Sequence, residues 1–139
     1  MPLTTSAASV ALALSAFMAP QPSVGNVPAT MPAAQTVKEY VEIYFADAPV
    51  MVNIARCESQ FRQFDKKGNV VKNPNSTAMG IFQIMSSLHK DTAAKMDMDI
   101  LSVQGNLEYA RYLYEKEGTK PWNASKACWS KGTHLAKSN

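Results

Sequence analysis

Residues 48–71 read APVMVNIARCESQFRQFDKKGNVV, and a change of rhythm inside this stretch decides the fold class. Asp47, just before it, has the chemistry of an N-cap, and Pro49 suits the first turn of a helix. A helix is expected over 48–57, with Val50, Ile54 and Cys57 facing inward and Glu58 at its C-terminal end. Beyond Glu58 the period shortens. Phe61, Phe64, Val70 and Val71 flank the polar turn Asp65-Lys66-Lys67-Gly68-Asn69, the pattern of a short β-hairpin.

Working outward, the N-terminal side carries Val37, Tyr40, Val41, Tyr44 and Phe45 at three- and four-residue spacing, which predicts an amphipathic helix. On the C-terminal side, Asn73-Pro74-Asn75-Ser76 is a loop by composition. The compact segment Gly80-Ile81-Phe82-Gln83-Ile84-Met85 follows. Ser86 or Ser87 is placed to cap a helix reaching Met96. Ser102 is placed to cap another, with Val103, Leu107, Ala110 and Leu113 on one side and Tyr114 beside them, and Gly118 ends it. Pro121 and Trp122 open a last short helix through Trp129. The expected fold class is therefore mainly α (α+β): a small helical domain over 34–131, with one short hairpin after the helix that carries Glu58, and a polar tail over 132–139.

The first charged residue of the chain is Lys38. Residues 8–19, ASVALALSAFMA, form an apolar run shorter than the roughly 20 residues that a membrane span needs. Its length suits the core of an export signal, and small residues and four prolines, Pro20, Pro22, Pro28 and Pro32, follow it. No Lys or Arg precedes the run. Residues 1–33 are read as a signal-like or unstructured arm, and the chain as exported to a periplasmic, cell-envelope or extracellular location. No stable membrane span is expected, and a monomer is. The net charge of +3, without any block of Lys and Arg, gives no sign of nucleic-acid binding. It suits an acidic polymer or a membrane surface, and equally an ordinary solvated surface.

Cys57 and Cys128 are the two cysteines. Two thiols cannot complete a structural zinc site, and neither His89 nor His134 stands at finger spacing. The readings left are an intrachain disulfide, two buried thiols, a bridge between chains, or redox chemistry, which the lack of Cys-x-x-Cys weakens. An oxidising compartment favours the intrachain pair. It would close the loop from 57 to 128, worth roughly 4 kcal/mol in the chain-entropy relation.

Glu58 is the residue most suited to acid chemistry. A carboxyl at a helix C-terminus feels the negative end of the dipole, and partial burial disfavours its charge. Both effects raise its pKa, as a general acid working near neutrality requires. Taken alone, a glutamate at a helix end is most often a solvated surface residue.

Three segments in order alter that balance: Glu58-Ser59-Gln60-Phe61, Gly80-Ile81-Phe82-Gln83-Ile84, and Asn106-Leu107-Glu108-Tyr109-Ala110-Arg111-Tyr112-Leu113. Together they resemble the lytic transglycosylases of the lysozyme-like superfamily. The cysteine beside Glu58 and the late Trp/Cys segment are similar to the resuscitation-promoting-factor branch of that fold. The resemblance implies a lysozyme-like domain that cleaves peptidoglycan glycan strands between N-acetylmuramic acid and N-acetylglucosamine. Glu58 would protonate the glycosidic oxygen, then accept the proton of the muramic 6-hydroxyl, leaving a 1,6-anhydro product. Ser59 would hold the glycan or the helix end. Gly80 would permit close backbone approach, and Gln83 would reach the sugar. Neither cofactor nor metal is implied.

The chain departs from the family pattern near its end. Where the family often has Ala-Tyr-Asn-Ala-Gly, with the tyrosine close to the acid, this chain has Lys120-Pro121-Trp122-Asn123-Ala124-Ser125-Lys126-Ala127-Cys128-Trp129. Trp122 or Ser125 is expected in that space. Tyr109 and Tyr112 are placed to supply part of the wall, or to be core. Asp65 is the nearest second carboxylate in sequence, but DKKG is ordinary turn chemistry. A hydrolytic lysozyme-type muramidase and a non-catalytic glycan-binding module of the same fold are the alternatives.

Overall fold

The computed structural model describes residues 36–132. Helix α1, Val37–Tyr44, begins at Thr36 with a reciprocal cap. The Thr36 hydroxyl accepts from the Glu39 N–H at 3.2 Å, and the Glu39 carboxylate accepts from the Thr36 N–H at 3.1 Å. Tyr40 and Val41 are buried, as is Phe45 just past the helix.

Helix α2, Pro49–Ser59, starts with proline in its first turn as expected, but Asp47 does not cap it. Ala48 holds the cap position, with no side-chain bond. The Asp47 carboxylate instead accepts two bonds from the Arg111 guanidinium, at 2.7 and 2.9 Å. The carboxylate is thus taken up by a bidentate charged pair, and Pro49 has removed one of the N–H groups a cap would serve. Met51, Ile54, Ala55 and Ser59 form the buried face of α2, while Val50 and Cys57 are half-buried.

The expected hairpin is present as a tight ribbon with one bridge, Phe64 to Val70. The Asp65 N–H donates to the Asn69 carbonyl at 2.7 Å, and the Val71 N–H to the Gln63 carbonyl at 2.8 Å. It does not lengthen into strands, because Phe64 stays exposed and no apolar face forms there to bury. The two-stranded antiparallel sheet lies further on, between β1, Ala78–Met79, and β2, Ile84–Met85, with Ala78 opposite Met85 and Met79 opposite Ile84. A bridge from Lys72 to Met79 joins the ribbon to it.

Helix α3, Ser86–Lys95, also lacks its expected hydroxyl cap. Met85 takes the cap position, the Ser86 hydroxyl donates to the Thr77 carbonyl, and the Ser87 hydroxyl bonds to that of Thr77. Helix α4, Val103–Glu117, does begin as its sequence indicates, with the Ser102 oxygen accepting from the Gly105 N–H at 3.0 Å, and Gly118 ends it at φ 64°. The last helix is two joined pieces, a 3-10 helix over Lys120–Ser125 and α5 over Lys126–Trp129.

The domain is mainly helical with a short antiparallel hairpin. Its core lies where α1, α2 and α4 meet the segment 81–84 and the two tryptophans. A chain of aromatic rings crosses it, Tyr44 to Phe45, Phe45 to Phe82 and Phe82 to Trp122, with centroids 4.9, 5.2 and 6.0 Å apart. Among the described residues no helix is long and apolar enough to cross a membrane. The arm over 1–33 and most of the tail lie outside the described residues.

Candidate active site around Glu58

Glu58 sits in the last turn of α2, half-buried. The helix stops one residue later, at Ser59: Gln60 and Phe61 both adopt positive φ, 55° and 60°, and turn the chain away. The Ser125 hydroxyl donates to Glu58 Oε1 at 2.5 Å. Two influences act on the carboxyl. Burial raises its pKa and the Ser125 bond lowers it, and burial prevails, so the group stays protonated to higher pH than an ordinary glutamate.

The adjoining cysteines form a disulfide, Cys57–Cys128, with the Cα atoms 6.1 Å apart. This bond ties α5 to α2 one residue from Glu58 and three residues from Ser125. Of the two residues expected in the place of the family's tyrosine, Ser125 is the one that meets the acid.

Trp122 lies behind the site. It is 4% exposed, and its indole N–H donates to the Phe82 carbonyl at 2.9 Å. Its own carbonyl accepts from the Trp129 indole at 2.9 Å and from the Ser125 hydroxyl at 3.2 Å. Tyr109 is also a core residue, 1% exposed, with its hydroxyl 3.0 Å from His89 Nδ1. Tyr109 and Trp122, expected as glycan contacts, are both packed into the core, and Trp122 also borders a groove that Gln83 lines.

Ser59 is buried, and its hydroxyl donates to the Ile81 carbonyl at 2.8 Å and accepts from the Arg62 N–H at 3.1 Å. It pins the end of α2 to the 80–83 segment. Of the two roles expected for Ser59, this is the helix-end one. Gly80 does permit a close approach, but by amide side chains. A Cβ there would stand 2.4 Å from Asn106 Nδ2 and 2.5 Å from Gln63 Oε1, and its φ is +78°. Gln83, half-buried at φ 48°, donates from its amide to the Gly80 carbonyl at 2.9 Å. It borders a groove of 330 Å³ that continues past Met85, Leu88 and His89 to Trp122. A larger hollow of 730 Å³ lies between α1 and α2, and none of these site residues lines it.

Two buried amides hold this architecture, and neither was among the expected site residues. Gln63 accepts from the Ile81 N–H at 3.0 Å and donates to the Ile100 carbonyl at 3.2 Å. Asn106 accepts from the Phe82 N–H at 2.9 Å and donates to the Met79 and Ile100 carbonyls. Asn106 opens the third motif segment, so a signal existed for it. Gln63 falls inside the ribbon pattern, where nothing marks it as buried.

Asp65 is exposed and serves its own turn. Its carboxylate accepts from the Lys67 and Asn69 N–H groups at 2.8 and 3.0 Å, which holds its pKa below the ordinary value. Among the described residues no group of three or more His, Cys, Asp or Glu side chains is placed to hold a metal ion.

No protein-family model, curated protein or solved structure matches this chain. The likeness to lytic transglycosylases therefore stands on the motif residues themselves.

Proposed function

We infer that this protein is a peptidoglycan lytic transglycosylase that uses Glu58 as both general acid and general base. One observation carries the reading. Glu58 is a half-buried carboxyl at the end of an apolar helix, its pKa raised by burial, with a neutral hydroxyl as its partner. Such a group can arrive protonated at the glycosidic oxygen between N-acetylmuramic acid and N-acetylglucosamine. The carboxylate left behind is then the base for the muramic 6-hydroxyl, and the ring closes to a 1,6-anhydro end. A single acid/base suffices for that sequence, whereas a retaining hydrolase needs a second carboxylate about 5 Å away. Asp65, the second carboxylate considered, is engaged by its own turn. Export to the cell envelope agrees with the Cys57–Cys128 bond, since disulfides persist in oxidising compartments.

Mass spectrometry of purified peptidoglycan after incubation with the protein is the test. Anhydro-muramic ends are expected. Reducing ends would make the protein a hydrolytic muramidase. Binding without cleavage would make it a non-catalytic glycan-binding module.

A further inference from the structure

We propose that Ser125 is the positioning residue of Glu58: a hydroxyl that holds the carboxyl group in one place in both of its protonation states. The proposal rests on the reading that Glu58 gives and retakes a proton, and it adds how the site tolerates that exchange. An acid that must act as a base a moment later needs a neighbour able to accept a hydrogen bond before the transfer and donate one after it. A lysine or arginine can only donate, and a carbonyl can only accept.

A serine hydroxyl does both, provided its hydrogen has a second place to go, and Ser125 has one. Its oxygen is 2.5 Å from Glu58 Oε1 and 3.2 Å from the Trp122 carbonyl. With Glu58 protonated, the carboxyl O–H donates to the Ser125 oxygen, and the serine hydrogen turns to the Trp122 carbonyl. When the leaving oxygen arrives, the carboxyl O–H turns from the Ser125 oxygen to it and delivers its proton, and the serine hydrogen swings from the Trp122 carbonyl to the carboxylate left behind. No proton leaves Ser125, so the sum of protons on glutamate and glycan is unchanged. The swing also leaves no buried acceptor bare, because the Trp129 indole donates to the same Trp122 carbonyl at 2.9 Å throughout.

The surroundings fix this hydroxyl. Ser125 ends the 3-10 helix and directly precedes α5, which the Cys57–Cys128 bond fastens to α2. The helices packed most closely on α2 are α1, the 3-10 helix and α5, and the 80–83 segment, which carries no ionisable side chain, meets its end at Ser59. Their ionisable side chains are Lys38, Glu39, Tyr40, Glu42 and Tyr44 of α1, Lys120 of the 3-10 helix and Lys126 of α5. None of these is among the influences on Glu58, which are its burial and Ser125. The serine is thus the polar control on the acid.

The test uses the full oxidised chain with 13C-carboxyl glutamate, the Glu58 resonance being assigned by its loss in Glu58→Gln. Ser125→Ala should shift the Glu58 titration to higher pH, and Ser125→Thr, which keeps the hydroxyl, should restore it. Ser125→Gly makes the same deletion if the alanine methyl disturbs packing. On peptidoglycan, Ser125→Ala should lower kcat about tenfold with KM unchanged, and carry the alkaline limb of its pH profile upward. A Glu58 titration that ignores the loss of the hydroxyl, or a threonine variant that titrates like alanine, overturns the proposal. A wild-type protein that cleaves no glycan, yet shows the titration shift, overturns the glycan reading and supports the serine pairing.

Discussion

Glu58 carries a thermodynamic cost that can be measured without any substrate. Its folded pKa lies above the ordinary value of 4.5 because burial disfavours the charged form. Between the unfolded and folded values the native state binds more protons, so stability falls as pH rises through that window. Glu58→Gln removes the charge and the cost. Its thermal melts should match those of the wild type in acid and exceed them at neutral pH, while cleavage is abolished and glycan binding kept. A Gln variant that turns over like the wild type would reject the assignment. Asp65 supplies the contrast. Asp65→Asn should keep most of the activity, since its carboxylate faces its own turn; loss of activity with the fold intact and reducing-end products would restore the hydrolase. The place of Glu58 at a helix end is legible because it depends on one helix and its local end, whereas its standing as a candidate acid rests on the three motif segments read together. Ser125 was only one of two options, since its partner lies 67 residues away. Tyr109 is singled out by its place on a helix and Trp122 by the place of the family's late tyrosine, and neither signal says which large ring the core will claim.

At the scale of elements, Gly80 is the point where ribbon, sheet and α4 converge. Gly80→Ala would push a methyl group into the Gln63 and Asn106 amides and force a positive φ on a residue with a Cβ. It should destabilise the domain by about 2–3 kcal/mol, read from chemical denaturation, the upper part of the ordinary range for point changes. A smaller loss than about 1 kcal/mol would show that the amides can move aside. Element boundaries were readable where the signal is local. Ser102 and Gly118 bracket α4 as their types indicate. They were misread where a distant group intervenes. Asp47 was drawn from its cap by Arg111, 64 residues on, and Ser86 was drawn from its cap by Thr77. The hairpin was found in its turn but not in its extent, because strand length depends on a buried face that the ribbon lacks.

Across the whole molecule, the Cys57–Cys128 bond spans 71 residues and joins the second helix to the last. Removing it with Cys128→Ala should cost about 2–5 kcal/mol of stability. Cleavage should fall as well, because Ser125 reaches Glu58 from the strand of chain that this bond anchors; a displacement of about 1 Å can cost roughly 100-fold. Melting and turnover with and without reductant would show both effects together. A reduced protein that melts and cleaves as before would remove the bond from the account of catalysis.

The cap at Thr36 has a consequence of another kind. Because Thr36 and Glu39 satisfy each other's backbone N–H groups, the opening turn of α1 is capped from within its own sequence. The direction in which α1 sets out is therefore written into Thr36 and Glu39 themselves, and exchanging either residue would alter the front edge of the domain before it touched the core.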